Sequence, residues 1–354
     1  IIARLDPSDS WWGLVVFAGL LPVMMWIQIV VHELGHAAFG VAVGQRLHAI
    51  AFGALRLVRL DGRWRRPAGE PTQGIGGFAY LLPAPDTTRP PGAISTAVML
   101  VGGVAANAAA SLLAIAWMWH LPESMWKVAL AAFVLVGLLF ALLNLLPFRA
   151  GGFATDGYGL LALARRTREG ELLTQVRWAG GLAMGGVPAH AWPAAALPPL
   201  DTAALSPSYA VSALGLRMTH ALTVGAHDDA EVAARGLRAA FPSLPPFFQA
   251  YVALAMSEWA AVARRDPALL AAWRARVGGA LLSDLAGVRA WLDAELAALQ
   301  GDGAARDRAL GVAESALPDE PDVALRSLAQ ARVMQLRQDA LSHPGPAPVL
   351  SLQA

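Results

Sequence analysis

The segment "HELGH" places two histidines and a glutamate at a spacing that suits metal-dependent hydrolysis. His32 and His36 are four residues apart, so on a helix they project from one face, one turn apart, and can reach a single ion. Glu33 can then take a proton from a water molecule on that ion, as in zinc peptidases. The chain has no cysteine, so any metal must be held by nitrogen and oxygen atoms.

Two histidines leave such a site one protein ligand short, because catalytic zinc usually has three protein ligands and a water. The remaining histidines fit poorly by position; they are His48, His120, His190, His220, His227 and His343. The best candidate is Asp156, in a glycine-rich segment after Pro147, where the chain can turn back. Asp156 and Gly157 are also the residues of an ordinary turn, and the sequence leaves both interpretations open.

The histidines and the glutamate lie at the end of the first of three long uncharged stretches. Each stretch can cross a hydrocarbon core of ~30 Å. We therefore predict an integral membrane protein, surrounded by the lipid bilayer, with spans at about 11–36, 92–120 and 126–147. His32 lies ~31 Å along the helix from Trp11 at 1.5 Å per residue. Ionisable groups at that depth are costly unless they are paired or functional, although these could simply mark where the helix leaves the membrane.

The arginines predict the orientation of the chain. Seven lie between Gly44 and Pro91, and four more follow the third span. By the positive-inside rule both segments are cytoplasmic, and the N-terminus is outside. A single lysine among many arginines and alanines indicates a bacterial source, so we expect the bacterial inner (cytoplasmic) membrane. The net charge of +1 has no basic concentration typical of nucleic-acid binding, so we expect no nucleic-acid partner.

Strand patterns lie between the first two spans. The alternation at residues 55–57, the Asp61-Gly62 turn and the segment Gly74 to Pro83 predict a small β element at about 46–83. The uncharged window Trp178 to Leu200 contains four prolines, so we predict a linker there and not a fourth span. The predicted organisation is a membrane core (1–168), a linker (169–205), a soluble helical domain (206–345) and a tail (346–354).

The C-terminal part is rich in alanine and carries amphipathic helical patterns separated by short breaks. Such patterns are typical of paired helices, for which tetratricopeptide-like repeats and an ordinary bundle are both open, since no fixed repeat length is found. The predicted fold class is therefore mainly α, with a three-helix transmembrane catalytic core, a small membrane-associated β element and a soluble α-helical domain. We expect that domain to bind a cytosolic partner or regulator.

Three motifs in order resemble the site-2 protease family of intramembrane zinc metalloproteases. They are "HELGH" in the first span, "GGVAAN" from Gly102 to Asn107 in the second, and "NLLP" followed by "DG" after the third. The resemblance covers about residues 11 to 165. It implies one Zn²⁺ per chain, bound by His32, His36 and Asp156, with Glu33 as the general base.

The resemblance also implies roles for residues that do not bind the metal. Asn107 would position the substrate or stabilise the oxyanion, and Asn144 would support it; an interhelical hydrogen bond is the alternative for Asn107. Gly76, Gly77 and Phe78 resemble the β element whose edge pairs with an unwound substrate. One feature departs from the family: twelve residues separate Asn144 from Asp156, against eight in many members.

These implications predict an intramembrane endopeptidase that cleaves a transmembrane-segment substrate near the cytoplasmic face. One alternative is a metal transporter or sensor at His32, His36 and Asp156, which would need further polar residues along the second and third spans. Apart from Asn107 and Asn144 those spans are largely apolar. Another alternative is a catalytically silent membrane scaffold, which need not bind zinc at all.

Overall fold

The computed structural model describes residues 7–67, 76–86, 88–150, 153–202, 205, 207–279 and 282–342. The protein is mainly helical, as predicted, with a small antiparallel sheet. The chain forms two compact units. The first unit is Ile1–Arg66 with Gln73–Gly181, and the second is Pro67–Thr72 with Leu182–Ala354. The first unit thus ends later than the core predicted for residues 1–168.

Three helices of the first unit are long and apolar enough to cross a membrane. They are α1 (Pro7–Ala42), α2 (Ala93–Met118) and α3 (Met125–Leu145). Helix α1 covers the predicted span 11–36, and α2 and α3 end two residues before the predicted ends at 120 and 147. Helix α1 continues six residues beyond the predicted end at 36, because the side chains of "HELGH" do not interrupt the helix and are largely buried within the unit.

Small residues bring α1 and α2 into close contact. A Cβ atom added to Gly102 would lie 2.6 Å from the carbonyl oxygen of Gly35, and one added to Gly35 would overlap Gly102. A Cβ atom at Gly103 would meet the imidazole rings of His32 and His36 at 2.6 and 2.5 Å. Glycine at these positions lets the helix backbones approach, as small residues do in membrane helix pairs, and leaves room for both rings.

The predicted β element forms a four-stranded antiparallel sheet in the order β3-β2-β1-β4. Its strands are β1 (Gln45–Phe52), β2 (Leu55–Leu60), β3 (Arg63–Arg65) and β4 (Gly77–Pro83). The predicted turn at Asp61 and Gly62 is confirmed, with φ values of 47° and 80° that suit a tight hairpin. Residues 74 and 75 of the predicted second segment lie outside the described residues. Strand β4 is at one edge of the described sheet.

The segment after α3 forms two two-residue strands, β5 (Arg149–Ala150) and β6 (Phe153–Ala154), and the helices α4 (Asp156–Ala164) and α5 (Arg168–Met184). Helix α5 replaces the first part of the linker predicted for residues 169–205. Its side chains explain why: Arg177 donates to the Leu81 carbonyl at 2.8 Å, and the Trp178 indole donates to the Asp86 carbonyl at 2.7 Å. The window Trp178 to Leu200 is not among the helices that could span a membrane, in agreement with the prediction.

The second unit contains seven helices among its described residues, close to the predicted positions. They are α6 (Pro207–Val224), α7 (His227–Ala240), α8 (Pro246–Trp259), α9 (Pro267–Arg274), α10 (Ala286–Gln300), α11 (Gly303–Ala316) and α12 (Val323–Ser342). Consecutive helices pack in pairs, α6 with α7, α8 with α9 and α10 with α11. Their apolar faces form one core that includes Leu214, Leu237 and Trp291. A tetratricopeptide-like arrangement stays a prediction.

Candidate metal centre

His32, His36 and Asp156 meet in the first unit, although two come from α1 and one from α4. The two Nε2 atoms are 3.0 Å apart, and the Asp156 Oδ2 atom lies 3.2 Å from His32 Nε2 and 3.3 Å from His36 Nε2. Tetrahedral zinc with bonds of about 2.0–2.1 Å would hold its ligand atoms about 3.3–3.4 Å apart. The triangle of ligand atoms is therefore close to the size that this ion requires.

The donor set also has the chemistry of a cation site. His36 Nδ1 lies 2.8 Å from the Met99 carbonyl oxygen and His32 Nδ1 lies 2.6 Å from Asn107 Oδ1. Both contacts use Nδ1, which leaves the two Nε2 atoms facing each other and the carboxylate. Among the described residues, the buried Oδ2 atom of Asp156 has no polar partner besides these two Nε2 atoms. Two imidazole nitrogens and a carboxylate oxygen that converge in this way can bind a divalent metal ion.

The surroundings of Asp156 favour the ionised form of its carboxyl group. Burial raises the pKa of its carboxyl, but the neighbouring His32 and His36 lower it, and the net direction is below its ordinary value. An ionised carboxylate is the form that binds zinc. Asp156, predicted from the sequence as a third ligand, thus lies beside both histidines; its binding of zinc stays a prediction.

A small hairpin returns the chain from α3 to the histidines. The Thr155 N–H donates to the Phe148 carbonyl at 3.1 Å across the β5–β6 pair. The Thr155 hydroxyl donates to the Leu146 carbonyl at 2.6 Å and accepts from the Tyr158 N–H at 3.3 Å, which caps α4. The β5–β6 pair thus lies within the long segment between Asn144 and Asp156, and Asp156 begins α4.

Gly157 allows α4 to start against the end of α3. A Cβ atom at this position would overlap the Leu145 carbonyl group. Asp156 and Gly157 lie in the first turn of α4 and do not form the isolated turn that the sequence left open. The glycine is required by close packing and not by a left-handed backbone conformation.

Glu33 is buried beside the three ligand residues, at the point where α1 contacts β4. A Cβ atom at Gly77 would lie 3.1 Å from Glu33 Cγ and 2.5 Å from Ile29 Cγ2. The backbone amide of Ala79 interacts with the Glu33 carboxylate. Gly76 also faces Ile29, whereas Phe78 is half-buried and pairs with Ala51 in the sheet. The predicted general base and the first residues of the predicted substrate-binding strand are thus neighbours.

The two predicted asparagines both have polar contacts within the protein, and their roles toward a substrate stay predictions. Asn107 is fully buried, with Oδ1 at His32 and Nδ2 donating to the Gln28 carbonyl at 2.9 Å and to Gln28 Oε1 at 2.6 Å. Asn107 thus makes the interhelical hydrogen bonds that the sequence left open as its alternative role, and both ends of its amide have partners. Asn144 Nδ2 donates to the Phe140 carbonyl at 3.0 Å, one turn back on α3. Its side-chain amide is therefore engaged within its own helix.

Comparisons of the chain with protein-family models, with curated proteins and with solved structures find no match. The chemistry of the site follows from its own side chains. Two imidazoles and one carboxylate can hold a divalent ion, and a second buried carboxylate, Glu33, can exchange a proton beside it. This set of groups can activate a water molecule for hydrolysis.

Sequence analysis missed Gln28, which is fully buried and donates from Nε2 to the Phe133 carbonyl on α3 at 3.0 Å. A signal for it was present. Gln28 precedes His32 by four residues, as His32 precedes His36, so the three side chains share one face of α1. An amide on that face of an otherwise apolar helix needs buried partners.

Proposed function

We propose that the protein is an intramembrane zinc endopeptidase of the site-2 protease kind. The observation that carries this proposal is the convergence of His32, His36 and Asp156, with ligand atoms 3.0 to 3.3 Å apart, beside the buried Glu33. The unit that holds them also has three helices that are long and apolar enough to cross a membrane. A hydrolytic centre in such a unit suits a substrate that lies in the bilayer.

Each side chain has a defined role in this proposal. His32, His36 and Asp156 hold zinc, which when bound supplies a Lewis acid that lowers the pKa of water to about 7. Glu33 accepts the proton of the attacking water and returns it to the departing amide nitrogen. The burial of Glu33 keeps bulk water away from this transfer, so its carboxylate acts on the reacting water.

The substrate in this proposal is a protein with a transmembrane segment. A transmembrane helix satisfies its backbone groups internally, so it must unwind before a carbonyl can be attacked. Strand β4 is an edge strand of the described sheet and begins beside Glu33. Pairing with that edge would hold the unwound segment by main-chain hydrogen bonds with little side-chain preference. Gly77, the first residue of β4, lets the strand lie against Ile29 and Glu33.

The arginine distribution supports a cut near the cytoplasmic face of the bacterial inner membrane. Cleavage there would release a cytosolic fragment, as in regulated intramembrane proteolysis. The helical second unit would then bind a cytosolic partner or regulator. A transport site explains the three ligands less well, because transport does not need a fourth buried group such as Glu33 next to the ion.

Zinc content and cleavage together test the proposal. The purified full chain should contain one zinc per chain, and on co-expression it should cleave one or more members of a panel of single-span reporter proteins. Glu33→Gln should keep the zinc and lose cleavage. Leu34→Ala, a substitution at an exposed neighbour, should retain both. A wild-type chain without zinc, or a Glu33→Gln variant that still cleaves, would overturn the proposal.

A further inference from the structure

We infer that Gln28 is a positioning residue that fixes the tautomer of His32 and thereby the zinc affinity of the site. The inference rests on the proposed zinc site and adds a residue to which the resemblance gives no role. Four hydrogen bonds link three helices in series. Gln28 Nε2 donates to the Phe133 carbonyl at 3.0 Å, Asn107 Nδ2 donates to two oxygens of Gln28 at 2.9 and 2.6 Å, and His32 Nδ1 lies 2.6 Å from Asn107 Oδ1.

The direction of each bond follows from the one before it. The Phe133 carbonyl on α3 can only accept, so the nitrogen end of the Gln28 amide must face it. The oxygen end of Gln28 then faces Asn107 together with the Gln28 backbone carbonyl. Two acceptors at this point can be satisfied only by the nitrogen end of the Asn107 amide. The Asn107 oxygen is thereby turned toward His32.

An amide oxygen beside His32 Nδ1 requires that this nitrogen carry the proton. A neutral imidazole has one protonated nitrogen, so His32 Nε2 keeps its lone pair. That atom is the one that faces His36 Nε2 and Asp156 Oδ2. In the other tautomer Nε2 would carry the proton and point it at the other two ligand atoms. That proton would have to leave Nε2 before this nitrogen could bind a metal. Gln28 thus acts on the metal site through Asn107 without touching the ligand atoms.

Packing around Gln28 agrees with this role. Gln28 and Asn107 are both fully buried, so neither amide can exchange its partners for bulk water. A Cβ atom at Gly137 of α3 would overlap Gln28 Nε2 and the Ser111 hydroxyl. Glycine at position 137 leaves the space in which the Gln28 amide lies. The arrangement therefore involves all three apolar helices and not a chance contact of two side chains.

The test uses Gln28→Leu, which keeps the approximate size of the side chain and removes both of its polar ends. We expect the zinc affinity of the detergent-solubilised full chain, measured by competition with a chelator, to fall about 10- to 100-fold. In the metal-free protein, ¹⁵N NMR should show the Nδ1-protonated tautomer of His32 in the wild type and a mixture in the variant. A purely structural role for Gln28 would not change this tautomer.

Ser111→Ala is the matched control, because Ser111 is fully buried in the same region and its hydroxyl has no hydrogen-bond partner among the described residues. It should leave the affinity and the tautomer unchanged. Gly137→Ala adds a methyl group where the Gln28 amide lies, and should lower the affinity in the same direction. If Gln28→Leu does not fold, Gly137→Ala decides by the same two measurements.

Unchanged affinity together with an unchanged His32 tautomer would overturn the inference, whatever the protein cleaves. A wild-type chain that binds zinc and cleaves no substrate would instead remove the proposed function. In that case the zinc affinity and the His32 tautomer of Gln28→Leu would still decide whether Gln28 has the inferred role. The two failures are therefore distinguishable.

Discussion

Asp156 Oδ2 lies 3.2 Å from His32 Nε2, although the two residues belong to different helices and are far apart in the chain. The contact depends on the hairpin that follows α3 and on Gly157, which together place the start of α4 against the end of α3. It also depends on α1 remaining helical through "HELGH". The cluster of His32, His36 and Asp156 is therefore a product of tertiary packing, and each part that creates it can be tested by a separate substitution.

Replacing Asp156 by Ala should reduce zinc binding more than any change outside the ligand set. Loss of a residue that only orients a ligand typically costs 10–100-fold in affinity, so loss of the ligand should cost more than about 100-fold. Chelator competition measures this directly. Asp86→Asn, at an exposed acidic residue of the same unit, serves as the control; equal losses in the two variants would refute a direct role for Asp156.

Gly157→Ala should lower zinc affinity although it replaces none of the three ligand residues. The added Cβ atom would overlap the Leu145 carbonyl, so the start of α4 must shift and carry Asp156 away from the histidines. Gly19→Ala adds a methyl group to α1 where nothing lies within 4 Å, and it should leave zinc binding as in the wild type. Zinc content after dialysis against a weak chelator separates the two variants, and full zinc retention by Gly157→Ala would argue against the proposed packing constraint.

Gly77→Val should abolish cleavage while zinc remains bound. Its side chain would collide with Ile29 and Glu33, so β4 would move away from the general base, whereas none of the three ligands lies in that contact. Gly92→Ala, where the space is open, is the control. Zinc content and reporter cleavage are measured on the same preparation, and normal cleavage by Gly77→Val would show that the start of β4 is not part of the substrate path.

The second unit should become less stable as the pH rises from about 4.5 to about 8. Burial raises the pKa of Glu258 from 4.5 to about 8, with further contributions from Asp322 and Glu320. Between these two pH values the folded unit still holds the Glu258 proton, whereas the unfolded chain has released it. The free energy of unfolding is therefore highest below pH 4.5 and falls as the pH rises to about 8. Thermal unfolding of the full chain at pH 5.5 and pH 8.5 measures the effect.

Glu258→Gln removes the group with the higher pKa and should raise the unfolding temperature at pH 8.5 relative to the wild type, although Glu320, whose pKa burial raises to about 7, still titrates. At pH 5.5 the difference should be smaller. Glu314→Gln is the control, since Glu314 is exposed and Arg337 lowers the pKa of its carboxyl; it should show no gain at pH 8.5. A wild-type unfolding temperature that rises with pH, unaffected by Glu258→Gln, would contradict the assignment.

The spans and the histidine pair could be predicted because their signals are local. Long uncharged runs determine which helices can lie in a bilayer, and a spacing of four places His32 and His36 on one helical face. Helix α5 could not be predicted, because Arg177 and Trp178 are held by carbonyl groups of the β element and its following loop. Composition alone carries no information about such distant partners.

The same limit applies within the site. The sequence indicated Asp156 but held no local signal that β5 would pair with β6 and bring this residue back to the histidines. Gln28 lies on the same helical face as the histidines, but its significance depends on Asn107 and on the Phe133 carbonyl, which belong to two other helices. Long-range contacts of this kind become visible only when the helices are packed.

The most direct test of the proposed metal centre is the anomalous scattering of crystals of the full chain, recorded on both sides of the zinc absorption edge. We predict one anomalous peak per chain within about 2.0–2.1 Å of His32 Nε2, His36 Nε2 and Asp156 Oδ2. A peak that is absent, or that lies away from these three atoms in a zinc-replete crystal, would contradict the account.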